Sequence, residues 1–311
     1  MQFEKSVLFG ISSLKELSCL LGVNVEKFTS SKNIFKMYHI KLIEDAKKRI
    51  VENPPKRLKG VQRKVLSLLN NLDFPSYICS VTGKSTFDAV KIHAETFQHV
   101  ITTDISKFFM STGREKIYSF WLNTMKMAKS VALVMTNLTS IDYREIKDKE
   151  VTAFMANNKL CTCHLGTGLP TSNVLSFLCN YQMYEDLSAY CNQNDLRMSA
   201  YVDDLIFSSN KTLGQRQLEE IRRIISKNGY KINLRKTKIL NNKKPKILLG
   251  LVLKDGNITV PKSVWKQIRE DGKKLLVESD DDMLRLKYNG LKNYAKDITR
   301  KNNMLSCGRK E

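Results

Sequence analysis

No apolar run in the 311 residues approaches the roughly 20 that a membrane span needs, which argues against a membrane protein. The opening Met1-Gln2-Phe3-Glu4-Lys5 lacks the pattern of a signal peptide, so a cytoplasmic location is expected. Cysteine is sparse and unpaired in pattern. Seven residues, Cys19, Cys79, Cys161, Cys163, Cys179, Cys191 and Cys307, are odd in number and scattered, which is no disulfide framework. Cys161-Thr162-Cys163-His164 has metal-binding residue types, but its spacing is not that of a zinc hairpin and no second ligand pair is evident. Acid is also short: 31 Asp and Glu face 52 Lys and Arg, a formal charge of +21. Such an excess repels itself and points to a polyanionic partner, nucleic acid first and an anionic surface second.

Against that basic background, Ala200-Tyr201-Val202-Asp203-Asp204-Leu205-Ile206 stands out. Two adjacent carboxylates sit between short apolar runs, the pattern of a β-hairpin with an acidic tip. Side-by-side negative charges are costly unless a cation sits with them, and hard divalent metals prefer carboxylate oxygens. The alternative is a turn whose aspartates serve local hydrogen bonds. Upstream, Val100-Ile101-Thr102-Thr103-Asp104 reads as an apolar strand ending in an acid, a rigid place for a metal ligand or simply a turn or cap aspartate.

Between these landmarks the chain is mostly amphipathic helix. Ser13 to Glu16 fits a capping box opening a short helix that ends at Gly22, and a second short helix is expected from Val25. Met37–Leu42 and Arg49–Glu52 read as short strands flanking Lys47-Lys48-Arg49. Pro54-Pro55 then precedes a helix with Leu58, Val61, Val65, Leu68, Leu69 and Leu72 on one face. Helix is expected over 117–135 and from Asn173 to Cys191, and the polar stretch 138–160 carries no recognisable chemistry. Gly166 to Ser172 is a hydroxyl-rich loop whose following helix start could face phosphate or merely connect elements. A helix ending at Gly229 follows the acidic hairpin, Ile247–Val252 reads as one buried strand, and Asp255-Gly256 turns into Ile258–Val260. From Pro261 the pattern is helical, and residues 231–311 hold about +12 of the net charge. Fraying is expected over the last dozen residues.

A strand-end aspartate followed roughly 100 residues later by a Tyr-x-Asp-Asp hairpin resembles a polymerase palm. The order of motifs resembles reverse transcriptases along most of the chain: Arg49-Ile50-Val51 with Gln62, Thr103 to Phe109, Gly168-Leu169-Pro170-Thr171-Ser172, Tyr201 to Asp204, Gly229 to Lys236-Thr237, and Leu249-Gly250-Leu251. Within that superfamily the chain resembles bacterial retron enzymes of the group II intron-like lineage. It departs from their pattern in places. Only His93 survives from an Asn-Ala-x-x-His element, Leu248-Leu249-Gly250 stands for Val-Thr-Gly, Thr167 replaces the usual Gln, Asn173 replaces a Pro, and 138–160 looks like an insertion.

The resemblance implies an α+β right-hand polymerase fold. Residues 1–95 would form N-terminal helices and fingers. Residues 96–260 would form a palm with an antiparallel sheet and an interposed fingers segment near 125–195, and 261–311 a short basic helical thumb. It implies an RNA-directed DNA polymerase using two Mg²⁺ ions held by Asp104, Asp203, Asp204 and the Ile105 backbone. Lys48, Arg49, Phe109, Gly168 and Lys236 would meet the incoming dNTP, and His93, Lys262, Lys266, Arg269, Lys273 and Lys274 the RNA. For His93 a satisfied buried histidine is the equal alternative, and for the five basic residues an ordinary solvated helix face. The implied partners are a structured noncoding RNA that is template and primer, its multicopy single-stranded DNA (msDNA) product, and effector proteins of a bacterial antiphage system, with no membrane. Two other readings remain: another group II intron-like or diversity-generating reverse transcriptase, or a catalytically idle RNA-binding scaffold.

Overall fold

A computed structural model describes residues 1–30, 34, 39–44, 48–145, 148–158, 160–242, 244–277 and 281–307. Its strands are β1 (His39–Glu44), β2 (Lys48–Asn53), β3 (His99–Asp104), β4 (Ile141–Asp142), β5 (Cys163–His164), β6 (Arg197–Tyr201), β7 (Asp204–Ser209), β8 (Lys238–Asn241), β9 (Lys246–Leu248), β10 (Leu251–Lys254) and β11 (Asn257–Thr259). Every ladder between them is antiparallel, and helices fill most of the remaining chain, so the class is α+β. No helix among the described residues is long and apolar enough to cross a membrane. The chain divides into two compact units, one of residues 1–76, 105–186 and 224–231, the other of 77–104, 187–223 and 232–311.

The first unit is mainly helical. Leu14–Leu21 is capped by the Ser13 hydroxyl, which accepts from the Glu16 N–H, and closes on Gly22 at φ 70°, a left-handed stop that glycine adopts without a Cβ penalty. In Lys56–Leu69 the apolar residues Leu58, Val61, Val65 and Leu69 are buried at helical spacing while its lysines and arginines stay outside; each such side chain contributes about 1.5–3 kcal/mol when fully buried. The helix expected over 117–135 is broken. Arg114–Ser119 runs into a π turn at Phe120–Thr124, Lys126 takes φ 54°, and a new helix starts at Lys129. The break lets Phe120, Trp121, Met125 and Met127 all reach the core. The helix expected over 173–191 is likewise two, Ser172–Leu178 and Tyr181–Gln193. Between them Asn180 is buried, its amide donating to the Ser176 carbonyl and its oxygen accepting from Tyr230 Oη at 2.8 Å.

The second unit is built on a four-stranded sheet in the order β6-β7-β3-β8. β6 and β7 form a two-residue hairpin in which Tyr201 faces Asp204. β7 then lies against β3 so that Thr102 pairs with Ile206 and Asp104 with Asp204. A second sheet, β9-β10-β11, packs into a core with Val90, Val100, Ile206, Leu251, Leu253, Ile258, Ile268 and Ile298. The single strand expected over 247–252 is a tight hairpin instead. Leu249 and Gly250 both take positive φ (49° and 79°), which leaves Ile247 exposed and Leu248 and Leu251 buried. A turn of this hand suits the twist of flanking strands, and it recurs at Asp255-Gly256, as expected. Two helices, Lys262–Val277 and Asp282–Cys307, complete the unit. The second remains helical to Cys307, so the fraying expected there is not seen in the described residues.

Candidate active site

The acidic tip follows from the hairpin. Val202 and Asp203 are its two turn residues, and Val202 takes φ 59°. A β-branched side chain in that region is strained by about 1–3 kcal/mol, so the ladder on both sides must hold the turn. The register of β3 against β7 sets Asp104 directly across from Asp204. All three aspartates therefore belong to one end of one sheet. Asp104 is buried, while Asp203 and Asp204 are half-buried.

These carboxylates repel one another. Burial first, then the charges of Asp104 and Asp204, push Asp203 from the usual 3.8 up to about 6. Burial and Asp104 likewise raise Asp204, with Lys236 acting against them. Lys236 offsets part of the charge, its Nζ lying 2.7 Å from Asp104 Oδ2. That hydrogen bond raises the Lys236 ammonium above its ordinary value. Lys236 is placed by a local frame: the Asn233 N–H donates to the Asp104 carbonyl at 2.8 Å, and Thr237 Oγ1 lies 2.8 Å from Thr103 Oγ1.

The donor chemistry fits a hard divalent ion, because carboxylate oxygens are what magnesium selects. The site is not a finished cage. Among the described residues no three acidic, His or Cys side chains are arranged to hold a metal, and Lys236 already engages one of Asp104's oxygens. Ile105, the other expected contributor, is buried. In Cys161-x-Cys163-His164, whose spacing already argued against a zinc hairpin, His164 is fully buried with Nδ1 2.6 Å from the Cys161 carbonyl and Nε2 3.2 Å from Glu52.

Other expected residues fall as follows. His93 does not face RNA. It is wholly buried, with Nδ1 2.6 Å from Ser208 Oγ and Nε2 2.8 Å from Ser199 Oγ, and burial pushes it down to about 3, so it is neutral. It ties the segment after Thr86–Lys91 to the middle of β6 and the far end of β7. Lys262, Lys266, Arg269, Lys273 and Lys274 are all exposed on one helix, while Ile268 and Asp271 of that helix are buried. Phe109 lies in the first unit, half-buried, with its ring 6.4 Å from that of Phe108, which packs edge-on against Tyr230. Lys48 and Arg49 open β2, but their side chains lie outside the described residues.

Gly168 has a structural demand of its own. A Cβ there would stand 2.0 Å from the Glu52 carbonyl oxygen, so only glycine lets the loop approach β2. Glu52 itself is the residue that sequence reading missed. It is fully buried at the end of β2. Its Oε1 accepts from Tyr143 Oη at 2.7 Å and lies 3.2 Å from His164 Nε2, and its Oε2 accepts from both the N–H and the hydroxyl of Thr167 at 2.5 Å. Burial alone would raise the carboxyl, but hydrogen bonds and the His164 charge outweigh it and hold Glu52 below its ordinary 4.5. The polar stretch 138–160 thus supplies a partner, Tyr143, to a buried carboxylate. The available signal was slight, an acid directly after the apolar pair Ile50-Val51.

A sequence profile of the family described as reverse transcriptase (RNA-dependent DNA polymerase) matches residues 42–253. Among curated proteins, the Retron Se72 reverse transcriptase of Salmonella heidelberg (strain 579083-10) is 24% identical over 236 residues, covering 73% of this chain and 57% of that protein. The Retron Ec83 reverse transcriptase of Escherichia coli is 25% identical over 167 residues, covering 52% and 49%. The chain spans about half the length of these curated relatives. Among solved structures, a foamy viral protease-reverse transcriptase in complex with RNA/DNA hybrid covers 75% of this chain and 24% of its own, at 15% identity and TM-score 0.40, a likeness too slight to define a shared fold.

Proposed function

The chain belongs to the reverse transcriptase (RNA-dependent DNA polymerase) family, and from that premise we propose that it is the RNA-directed DNA polymerase of a retron. The observation that carries the reading is the pairing of Asp104 with Asp204 across β3 and β7, which gathers the aspartates of two motifs at one sheet end. The names of the curated relatives support the retron assignment.

Asp104 and Asp203 would hold two Mg²⁺ ions, with Asp204 and the Ile105 carbonyl in support. Bound magnesium supplies the positive charge that activates a primer hydroxyl and stabilises the leaving pyrophosphate. Lys236, whose Nζ lies 2.7 Å from Asp104 Oδ2, would also meet the triphosphate. Phe109 excludes a 2′-OH and so selects dNTPs. Lys48, Arg49 and the Gly168 loop bind the nucleotide. The exposed stripe Lys262, Lys266, Arg269 and Lys273, with Lys274 beside it, grips RNA through its backbone.

The template is a structured noncoding RNA, and the 2′-OH of an internal guanosine primes synthesis. The product, msDNA, stays with the enzyme and serves antiphage defence through effector proteins in the bacterial cytoplasm. The fingers, palm and thumb keep the boundaries given above, although the compact units divide the chain differently: residues 77–95 fall in the second unit and 105–124 in the first.

Two experiments test this. Primer extension on an RNA template should require Mg²⁺ and fall by orders of magnitude in Asp203→Asn; extension that survives either change refutes the metal assignment. Sequencing of co-purifying nucleic acid should recover DNA joined to RNA by a 2′–5′ link; an active polymerase without that junction belongs to another reverse transcriptase class.

A further inference from the structure

Three carboxylates share one end of the sheet that contains β3 and β7, and among the described residues Lys236 is the one cation that forms an ion pair with any of them. Its Nζ lies 2.7 Å from Oδ2 of Asp104, whose side chain is only 6% exposed. The turn that carries Lys236 is tied to β3 on both sides. Before it, the Asn233 N–H donates to the Asp104 carbonyl at 2.8 Å. After it, Thr237 Oγ1 lies 2.8 Å from Thr103 Oγ1, and Lys238 begins the strand that pairs with β3. The Asn233 carbonyl closes the turn, accepting from the Lys236 and Thr237 N–H groups, both at 3.0 Å. Lys236 therefore starts from a fixed backbone position beside Asp104 and is not a solvated lysine meeting an acid by chance. Half of its side chain is nonetheless exposed, so the ammonium can withdraw into water.

An ammonium and a hard divalent ion make the same demand on a carboxylate, negative charge on an oxygen. They also repel each other at close range, so holding one weakens the hold on the other. The Lys236 charge acts against the rise of the Asp204 carboxyl, the sign expected of a counter-ion.

Resting on the reading of Asp104, Asp203 and Asp204 as metal ligands, and going beyond the triphosphate contact assigned to Lys236 above, we propose that Lys236 is the built-in counter-ion of this site: it stabilises the clustered carboxylates in the metal-free protein and competes with a divalent ion for Asp104. A hydrogen bond between two ions is stronger than a neutral one, and exposure at the lysine end weakens it. A contact closed in about nine molecules of ten makes the apparent metal affinity about tenfold weaker than that of the same carboxylates left free. Removing the ammonium therefore has two effects of opposite sign. Metal binds more tightly, and the metal-free fold becomes less stable. A lysine that only packs would give the second effect without the first, and a solvated one would give neither.

Mn²⁺ tests this without turnover, because it takes the same oxygen ligands and octahedral geometry as Mg²⁺ and its free fraction is read by electron paramagnetic resonance. On the full chain, Lys236→Gln should bind Mn²⁺ about tenfold more tightly than wild type. In EDTA it should melt lower than wild type, and saturating Mn²⁺ should narrow that gap. Lys236→Met, which keeps the aliphatic stem, should give the same shifts and replaces the glutamine variant if that one does not fold. Lys238→Gln is the control: it removes the same charge two residues on, from an exposed lysine. Unchanged Mn²⁺ affinity in Lys236→Gln, or equal tightening in Lys238→Gln, overturns the competition. If wild type binds Mn²⁺ and Asp203→Asn does not, that failure leaves the metal reading of the aspartates standing. If neither wild type nor Lys236→Gln binds Mn²⁺ at millimolar concentration, the metal reading falls and the counter-ion role with it.

Discussion

Asp203→Asn should cost the protein its polymerase activity and make it more stable, and the pH dependence of the second effect tests the electrostatics of the tip. Asp203 is pushed from 3.8 to about 6 by burial and by Asp104 and Asp204. A raised carboxyl means that the folded state holds its proton more tightly than the unfolded chain does. Ionisation therefore works against folding. The penalty is absent below about pH 4, grows between pH 4 and 6, and is complete above 6. At about 1.4 kcal/mol per pH unit the displacement corresponds to about 3 kcal/mol. Asp203 is half-exposed, and screening by solvent reduces this to about 1–2 kcal/mol. In EDTA at pH 7.5 the asparagine variant should melt a few degrees higher, at about 2–4 °C per kcal/mol. At pH 4 the two proteins should melt together. Added Mg²⁺ should raise the wild type and leave the variant nearly unmoved. A variant that melts lower than wild type at pH 7.5, or by the same margin at both pH values, would refute the account of mutual repulsion at the hairpin tip.

The first unit allows three further tests. Glu52→Gln should destabilise by about 2–4 kcal/mol at pH 7 in urea melts, because an amide cannot accept from all the donors now aimed at that position. Since the folded Glu52 carboxyl is held low, its contribution is present above about pH 4.5 and lost as pH falls through the lower folded value; the gap between wild type and variant should therefore narrow in acid, and a constant gap would contradict it. Gly168→Ala should force the loop away from β2, at about 1–3 kcal/mol, since its Cβ has no room beside the Glu52 carbonyl; an unchanged melt would show that the loop yields freely. Phe109→Ala should admit ribonucleotides in primer extension, and unchanged sugar selectivity would reduce Phe109 to a packing role beside Phe108.

The parts of the fold legible from sequence were those where pattern and tertiary demand agree. The acidic hairpin is legible because two short apolar runs flank a two-residue acidic turn, and Leu205, Ile206 and Phe207 are all buried. Gly22 and Gly229 end helices because both adopt left-handed φ (70° and 86°). Leu249 and Lys126 were illegible for the converse reason. Neither residue type advertises positive φ, yet each takes it, splitting an apolar run into two elements. Tertiary packing won over local propensity there: Leu248 and Leu251 both reach the core only if the chain turns between them. His93 shows the limit for side chains. Its spacing matches a family element, but nothing local to it announces that Ser199 and Ser208, more than 100 residues away, would consume both ring nitrogens.

Thr167 illustrates how a departure from a family pattern can be explained by a distant partner. Where the resemblance leads one to expect glutamine, the threonine places its N–H and its hydroxyl on one carboxylate oxygen of Glu52 at 2.5 Å. A longer amide side chain would have to enter the space that this oxygen fills, in a region already closed by Tyr143 and His164 at 7% and 0% exposure. The buried charge at 52 and the short side chain at 167 are thus one device rather than two substitutions. The same device sets the distance between β2 and the Gly166–Thr171 loop, because Gly168 must then pass against the Glu52 backbone. A buried carboxylate is poor value as stabilisation compared with an apolar side chain of similar size, but it is directional: four polar groups from three residues, Tyr143, His164 and Thr167, converge on it, and an apolar residue could slide among them. Positional accuracy of two segments that the family resemblance assigns to nucleotide binding is a sufficient physical reason for an ionised group to be kept in that core.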